Sequence, residues 1–368
     1  MTNQNNTGGP LSSLKVVEFD GLGPTPFSAM QLADMGANVI RIARKTGTQA
    51  ANQFTDVVIR NRSYIELDLK DVNDIAIAKK IVCHSDILIE GFRPGVMERL
   101  GLGPSEMFLE NKKLVYGRMT GWGQIGSLSQ AAGHDINYIA LTGALNSIGR
   151  KGEKPVPPLN LVGDFGGGAL YLAMGIIAAL FESQKSGKGQ VVDCAMTDGS
   201  ASLMTMFYGF LSSGIWKEER GENLLDSGAH FYNVYETKDN KFISLGSIEP
   251  QFYSLLLEKL EVKDDEFMDQ MNKDLWEDLQ IKLVETFKQK TRDKWCSIME
   301  GTDICFAPVL TMKEAPNHPH NKERETFINY EGVIQPNVAP RFSRTPSQIQ
   351  GPPPLNISNI EEVLSDWD

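Results

Sequence analysis

Two short stretches each join a titratable side chain to the start of an apolar, helix-like run: Gly133-His134-Asp135-Ile136-Asn137-Tyr138 and Asn160-Leu161-Val162-Gly163-Asp164-Phe165-Gly166-Gly167-Gly168. A histidine and a carboxylate so placed have the layout of a two-base proton transfer, and with only five histidines in the chain groups that titrate near neutrality are few. His134 precedes a helix expected over Ile136 to Leu145, whose unpaired N–H groups could hold a developing oxyanion. It could equally cap that helix or fill a polar pocket. Asp164 stands before glycines that permit close approach of backbone or ligand, yet an aspartate at a helix start is also a standard N-cap. Local chemistry leaves both readings open for each residue and does not show that acid and base meet.

The elements that must hold these residues read as alternating strand and helix. Leu14 to Phe19 and Asn38 to Ile42 are β-rich and flank a helical Phe27 to Met35 with a turn at Gly36. A helix over Val72 to Cys83, a strand at Ile87 to Ile89, a helix over Pro104 to Asn111 and a strand at Leu114 to Gly117 continue the pattern. Such alternation predicts an α/β fold, a Rossmann-like domain with a parallel sheet. An all-round apolar helix follows over Asp164 to Ser183, then a strand over Gln190 to Cys194 and a helix over Ala201 to Leu211. After a polar, linker-like Glu218 to Gly228, strands at Phe231 to Tyr235 and Phe242 to Leu245 and helices over Pro250 to Leu260 and Leu275 to Phe287 suggest a smaller α+β domain. Expected boundaries are 1–215 for the large domain, 216–229 for the linker, 230–325 for the small domain and 326–368 for a tail. Pro352-Pro353-Pro354 reads as an extended connector, and Ser358-x-x-Glu361 as a capping box for a last short helix.

Several cations fall at strand ends, where an open α/β sheet binds its ligands. Arg44, Lys70 in Leu67-Asp68-Leu69-Lys70, Arg93 in Gly91-Phe92-Arg93-Pro94, and Arg99 would together suit a polyphosphate, although each alone reads as a solvated charge. Gly21-Leu22-Gly23-Pro24-Thr25-Pro26 has only the outline of a dinucleotide fingerprint: the third glycine is a proline, and Arg41 and Arg44 stand where an acidic residue should close the second strand. Glu249 reads as an N-terminal helix residue, His84 as a helix-end residue and Asp264-Asp265-Glu266 as a solvated loop. His230 is ambiguous. His318-Pro319-His320 lacks the partners of a metal site, and none is expected.

The formal charge, 36 − 47 = −11, and the absence of a basic run argue against nucleic acid or an anionic membrane surface as partner. Cys83, Cys194, Cys296 and Cys305 are scattered in apolar contexts, which suits reduced core thiols in the cytoplasm. Met1 to Pro10 lacks a signal-peptide pattern. The longest apolar run, Ala169 to Phe181, is too short to span a bilayer, and the Ser365-Asp366-Trp367-Asp368 terminus is no peroxisomal address.

At Gly91 to Val96, Met119 to Gln124, Gly133 to Tyr138, Leu159 to Asp164, Gly187 to Gln190 and Ile248 to Tyr253 the chain resembles the α-methylacyl-CoA racemases of the family III CoA-transferase superfamily (CaiB/BaiF-like) over almost its full length. The resemblance implies that His134 and Asp164 are acid/bases on opposite faces of the α-carbon of a 2-methylacyl-CoA. Backbone near Asp135 would then stabilise the enolate. By the same resemblance Glu249 reaches His134 from the small domain of the partner subunit, Asn160 and Tyr138 line the same pocket, and Gly133, Asp135, Asn137, Tyr138 and Asn160 belong with the residues that bind the CoA substrate. Arg44, Leu67, Asp68, Leu69, Lys70, Gly91, Phe92, Arg93 and Arg99 would hold CoA. It further implies an intertwined homodimer with its site at the subunit interface, and no cofactor beyond the CoA of the substrate. A family III CoA-transferase with Asp164 as nucleophile is the alternative, and a CoA-binding scaffold without catalysis a further one. The chain departs from its relatives at Leu225-Asp226-Ser227-Gly228-Ala229-His230, where they read Leu-Asp-Gly-Gly-Ala-Pro. If that loop borders the acyl pocket, Ser227 and His230 alter substrate preference; otherwise they are tolerated variation.

Overall fold

Strands β1 (Lys15–Phe19), β2 (Asn38–Arg44), β3 (Arg62–Leu67), β4 (Ile87–Glu90), β5 (Val115–Thr120) and β6 (Gln190–Ala195) form a wholly parallel sheet in the order β3-β2-β1-β4-β5-β6. The computed structural model describes residues 8–45, 57–354, 357–365 and 367. Met1 to Thr7 of the polar start, and Asp366 and Asp368 of the terminus, lie outside the described residues. Alternation along β1 sends Val16 to one core and Val17 to the other. Both faces are covered, which is why the central strands are almost continuously apolar. Helices Pro24–Asp34 and Leu161–Ser186 pack on the Val16 face through Leu32, Leu172 and Ile176; Val72–Cys83 and Pro104–Glu110 pack on the other through Ile81, Val82 and Met107.

The helix starts follow local chemistry. Asp71 caps Val72–Cys83 by accepting from the N–H groups of Asn73 and Asp74, and Pro24 and Pro104 occupy first helical positions, where a missing N–H costs nothing. The expected strands and helices of this part are present, and β3 is an addition. Its sequence, Arg62-Ser63-Tyr64-Ile65-Glu66-Leu67, hides a strand because Arg62 is buried against Glu18 on β1, its Nε 3.1 Å from the carboxylate. Arg41 also binds Glu18 and Asp20, so it is engaged inside the sheet. Desolvation lowers the pKa of Arg62 while Glu18 works against it.

By contacts the chain forms two compact units: residues 1–142, 158–204 and 320–368, and residues 143–157 and 205–319. It changes unit after Thr142, Pro157, Met204 and Pro319, rather than at the expected 215 and 325. The expected helix Ile136 to Leu145 is correspondingly shorter, Asp135–Ala140, with left-handed Gly143 (φ 78°) after it. The expected Ala201 to Leu211 is two helices, Met196–Leu203 and Thr205–Ser212, interrupted at Met204.

In the second unit β7 (Tyr232–Glu236), β8 (Phe242–Gly246) and β9 (Phe306–Val309) make an antiparallel sheet in that order. It packs on helices Pro250–Leu260, Trp276–Phe287 and Arg292–Met299, and Leu279, Leu283 and Phe287 of the expected stripe are fully buried. β9 escaped the sequence because Pro308 interrupts its apolar run; as an edge strand it tolerates the missing donor. Cys305, expected in the core, is exposed.

The tail belongs to the first unit. Its hairpin β10 (Phe327–Tyr330) and β11 (Val333–Pro336) carries Gln335, which accepts from buried Arg60 at 2.7 Å while Arg60 pairs with Asp34 at 2.6 Å. Ser358 does not cap the last helix, Ile360–Ser365. Its backbone and hydroxyl instead exchange bonds with Tyr64 of β3, and Asn359 Oδ1 accepts the Glu361 N–H.

Helix Leu161–Ser186 is, by length and composition, long and apolar enough to cross a membrane, contrary to the estimate from the apolar run alone. Leu172, Ile176, Ala179 and Ser183 pack into the unit, whereas Leu170, Met174, Ile177 and Phe181 are exposed, Met174 and Phe181 by 61%. These four recur at i, i+4, i+7 and i+11, so they form one apolar stripe.

Candidate active site

The sheet reverses its strand order between β1 and β4, and the loops leaving the carboxyl ends of the strands meet there, as expected for a topological switch point. A cavity of about 550 Å³ opens at this place. Gly23 and Thr25 after β1, Gly91 to Pro94 after β4, Thr120 to Trp122 at the end of β5 and just beyond it, and Met196 after β6 line it, together with Gly133, His134, Tyr138 and Asp164. The acid and the base that sequence could not bring together thus face one cavity.

His134 stands at the N-cap position of Asp135–Ala140. Its backbone N–H donates to Asn137 Oδ1 at 3.0 Å and its carbonyl accepts the Asn137 N–H at 2.8 Å, so Asn137 fixes the turn that presents the imidazole.

Asp164 does not cap. It is the fourth residue of Leu161–Leu170, the first ten residues of the long helix, which wind as a π-helix. Its backbone N–H is bonded by Asp135 Oδ2 at 2.7 Å, and its own Oδ2 accepts from Asn160 Nδ2 at 3.2 Å. Burial, and then the negative Asp135, hold the Asp164 carboxyl above the usual aspartate range, against the Asn160 hydrogen bond and His134. A carboxyl so raised is better matched to giving and taking protons than an exposed one.

Tyr138 is a wall rather than an acid. Its hydroxyl donates to the Gly133 carbonyl, its ring meets Trp122 edge-on at 4.8 Å, and burial and Asp164 push its pKa up. A Cβ at Gly121 would lie 2.1 Å from that ring. Only glycine fits there.

The loop Gly91-Phe92-Arg93 is set from below. Buried Glu90 accepts the Phe92 N–H and the Arg118 Nε, both at 2.7 Å, and Arg118 also grips Glu98. Arg93 is an exposed cation on the cavity wall. Arg44 and Leu67 are adjacent at the ends of β2 and β3; Asp68, Leu69 and Lys70 form the turn that follows, and Asp68 Oδ1 accepts the Lys70 N–H. Arg99 is exposed on a short helix, Val96–Arg99. Of the expected CoA residues Gly91, Phe92, Arg93, Gly133 and Tyr138 line the cavity, whereas Arg44, the 67–70 turn and Arg99 lie at or beyond the carboxyl ends of β2, β3 and β4 without lining it. Asp135, Asn137 and Asn160 act behind it.

Thr25, Met119, Trp122 and Met196 line the cavity and were not singled out. A polar or apolar residue at or beyond the end of a strand carries no local signature, and their place follows from the order of the strands. Glu249 belongs to the second unit, exposed at the N-cap position of Pro250–Leu260, where its carbonyl accepts from Phe252 and Tyr253.

His230 is a core residue of the second unit. It is fully buried among Phe231, Tyr253 and Phe267, with Nε2 2.7 Å from the Tyr253 hydroxyl, and desolvation pushes the imidazole down to about 4. Ser227 adopts left-handed backbone (φ 75°), a conformation that favours glycine. His318 pairs with Glu300 at 2.6 Å, and Lys282 with Glu266 at 2.6 Å and with Asp264. Among the described residues no group of three or more His, Cys, Asp or Glu is placed to hold a metal.

Comparison with known proteins agrees with this architecture. The family model for CoA-transferase family III matches residues 11–357. The chain is 46% identical to the alpha-methylacyl-CoA racemase of Mus musculus and 45% identical to that of Homo sapiens, each over 92% of this chain and 87% of the relative. A crystal structure of a CAIB/BAIF family protein from Brucella suis superposes with a TM-score of 0.85 at 22% identity, over 98% of this chain and 100% of that one. That last likeness is one of fold.

Proposed function

Because the chain belongs to CoA-transferase family III, and its racemase relatives match it over most of its length, we propose that it interconverts (2R)- and (2S)-2-methylacyl-CoA thioesters by 1,1-proton transfer. The observation that carries the mechanism is that His134 and Asp164 face one cavity, with the Asp164 carboxyl raised by its surroundings. One group takes the α-proton and the electron pair moves onto the thioester oxygen as an enolate. The other group then delivers a proton to the opposite face as the carbonyl re-forms. Each positioned transfer contributes about 10²- to 10⁴-fold, so contacts from the backbone around Asp135 to the enolate oxygen must supply much of the rest.

In this reading Arg44, the 67–70 turn, Gly91 to Arg93 and Arg99 take the CoA phosphates and adenosine, leaving the acyl chain against Met119, Trp122 and Met196. The enzyme needs no cofactor beyond the CoA of its substrate, and it works in the cytoplasm, which four unpaired thiols suit. It acts as a homodimer in which Glu249 of one chain approaches His134 of the other and favours the imidazolium. The apolar stripe on Leu161–Ser186 supports self-association, since such a stripe is costly in water.

The test is incubation with (2R)-2-methylacyl-CoA in D₂O. Deuterium entering the α-position together with loss of configuration is expected. Acyl-CoA that keeps its α-hydrogen while CoA migrates to a second carboxylic acid would show a transferase with Asp164 as nucleophile and overturn the proposal.

A further inference from the structure

Asp135 carries an unexplained arrangement. It is 6% exposed, its Oδ2 accepts the Asp164 N–H at 2.7 Å, and its Oδ1 is buried with no hydrogen-bond partner among the described residues. The π-helical winding accounts for the need: the Phe165 N–H reaches back five residues to the Asn160 carbonyl, and the equivalent acceptor for Asp164 would be Leu159, outside the helix. An N-cap side chain bonds the second or third helical N–H, so Asp164, the fourth residue of this helix, needs an acceptor from elsewhere. Asn160 occupies the N-cap position but makes no capping bond, and its amide goes instead to the Asp164 carboxylate. The acceptor is a carboxylate on another helix, the residue next to His134. Gly163 makes room for it, since a Cβ there would lie 2.4 Å from Asp135 Oδ2.

We propose that Asp135 is a positioning residue that ties the backbone carrying Asp164 to the turn carrying His134, and so sets the mutual attitude of the two acid/bases across the α-carbon. The proposal rests on the racemase reading above. A buried carboxylate held for one bond, with its second oxygen unpartnered, is a poor choice for stability alone. What the cross-helix bond adds is a fixed link between two helix starts that chain connectivity leaves independent, and near-attack geometry is sensitive to displacements of an ångström.

The experiment measures α-deuterium wash-in separately from (2R)- and (2S)-2-methylacyl-CoA, because one enantiomer loses its proton to Asp164 and the other to His134. Asp135→Ala should lower wash-in from one enantiomer by roughly 10- to 100-fold more than from the other, with KM changed less than about twofold. Gly163→Ala, which displaces the same carboxylate, should reproduce the asymmetry. Asp135→Asn keeps an oxygen for the Asp164 N–H and should recover most of kcat. It also removes a negative charge facing Asp164, so the acidic limb of the Asp164-dependent reaction moves to lower pH, His134 and Tyr138 being the other titratable groups that act on that carboxyl. Should Asp135→Ala fail to fold, Gly163→Ala decides through the same asymmetry between the enantiomers. Equal losses from both enantiomers, or no loss, overturn the positioning role. Asp164→Ala is the control: if it still racemises, the acid/base reading itself fails, whereas an inactive Asp164→Ala beside a symmetric Asp135→Ala removes only the tie.

Discussion

One imidazole nitrogen bonded to Tyr253 and the other buried without a partner among the described residues make His230 an acid-sensitive point of the second unit. Its pKa falls from 6.5 to about 4 on folding. Between these values the unfolded chain binds a proton that the folded chain refuses, so stability rises with pH across this window and is free of the penalty above it. The penalty grows to about 3 kcal/mol at the lower end. His230→Gln, which can still bond Tyr253, should flatten the dependence of the urea midpoint on pH between 6.5 and 4; an unaltered slope would refute the assignment. Sequence reached the identities of His134 and Asp164 but not their partners. Asp164 looked like a cap, and the true sharing of bonds, Asn160 to its carboxylate and Asp135 to its N–H, depends on helices 29 residues apart in sequence. His230 misled for a related reason: a histidine beside a polar loop looks functional until the rings that bury it are known.

At the scale of elements, helix starts and strand ends do most of the positioning. The βαβ pattern was legible because buried parallel strands are apolar throughout and helices Val72–Cys83 and Pro104–Glu110 begin with an aspartate cap and a proline. Strand β3 was not, because its charge is neutralised by Glu18 from a strand 44 residues away. The break at Gly143 and the π-helical winding of Leu161–Leu170 are likewise tertiary outcomes. The turn after β5 shows how closely elements constrain the cavity. Tyr138 is pinned by the Gly133 carbonyl and by Trp122, leaving no space over Gly121. Gly121→Ala should therefore cost about 1–3 kcal/mol of overpacking, seen as a lower urea midpoint, and should reduce kcat more than it raises KM because the wall beside His134 shifts. A fully stable, fully active Gly121→Ala would mean that the ring can move aside.

At the scale of the whole molecule the open matter is where Glu249 acts. It is exposed at a helix start, in a different unit from His134, and the apolar stripe through Met174 and Phe181 wants covering. The proposed exchange of elements between two chains would answer both. Complementation separates this arrangement from a site completed within one chain. In a homodimer with crossed sites, a mixed pair of His134→Ala and Glu249→Gln chains contains one site with both lesions and one with neither. Random pairing of equal amounts then makes half of the dimers mixed, and about a quarter of all sites intact. Co-expressing the two variants should restore about that fraction of wild-type racemisation, although each alone is impaired. If Glu249 served the His134 of its own chain, every site would carry one lesion, and the mixture would never exceed the average of its parents. Adding Phe181→Asp to both chains should abolish the restoration together with the dimer, because a carboxylate buried in an apolar interface leaves an unpaired charge.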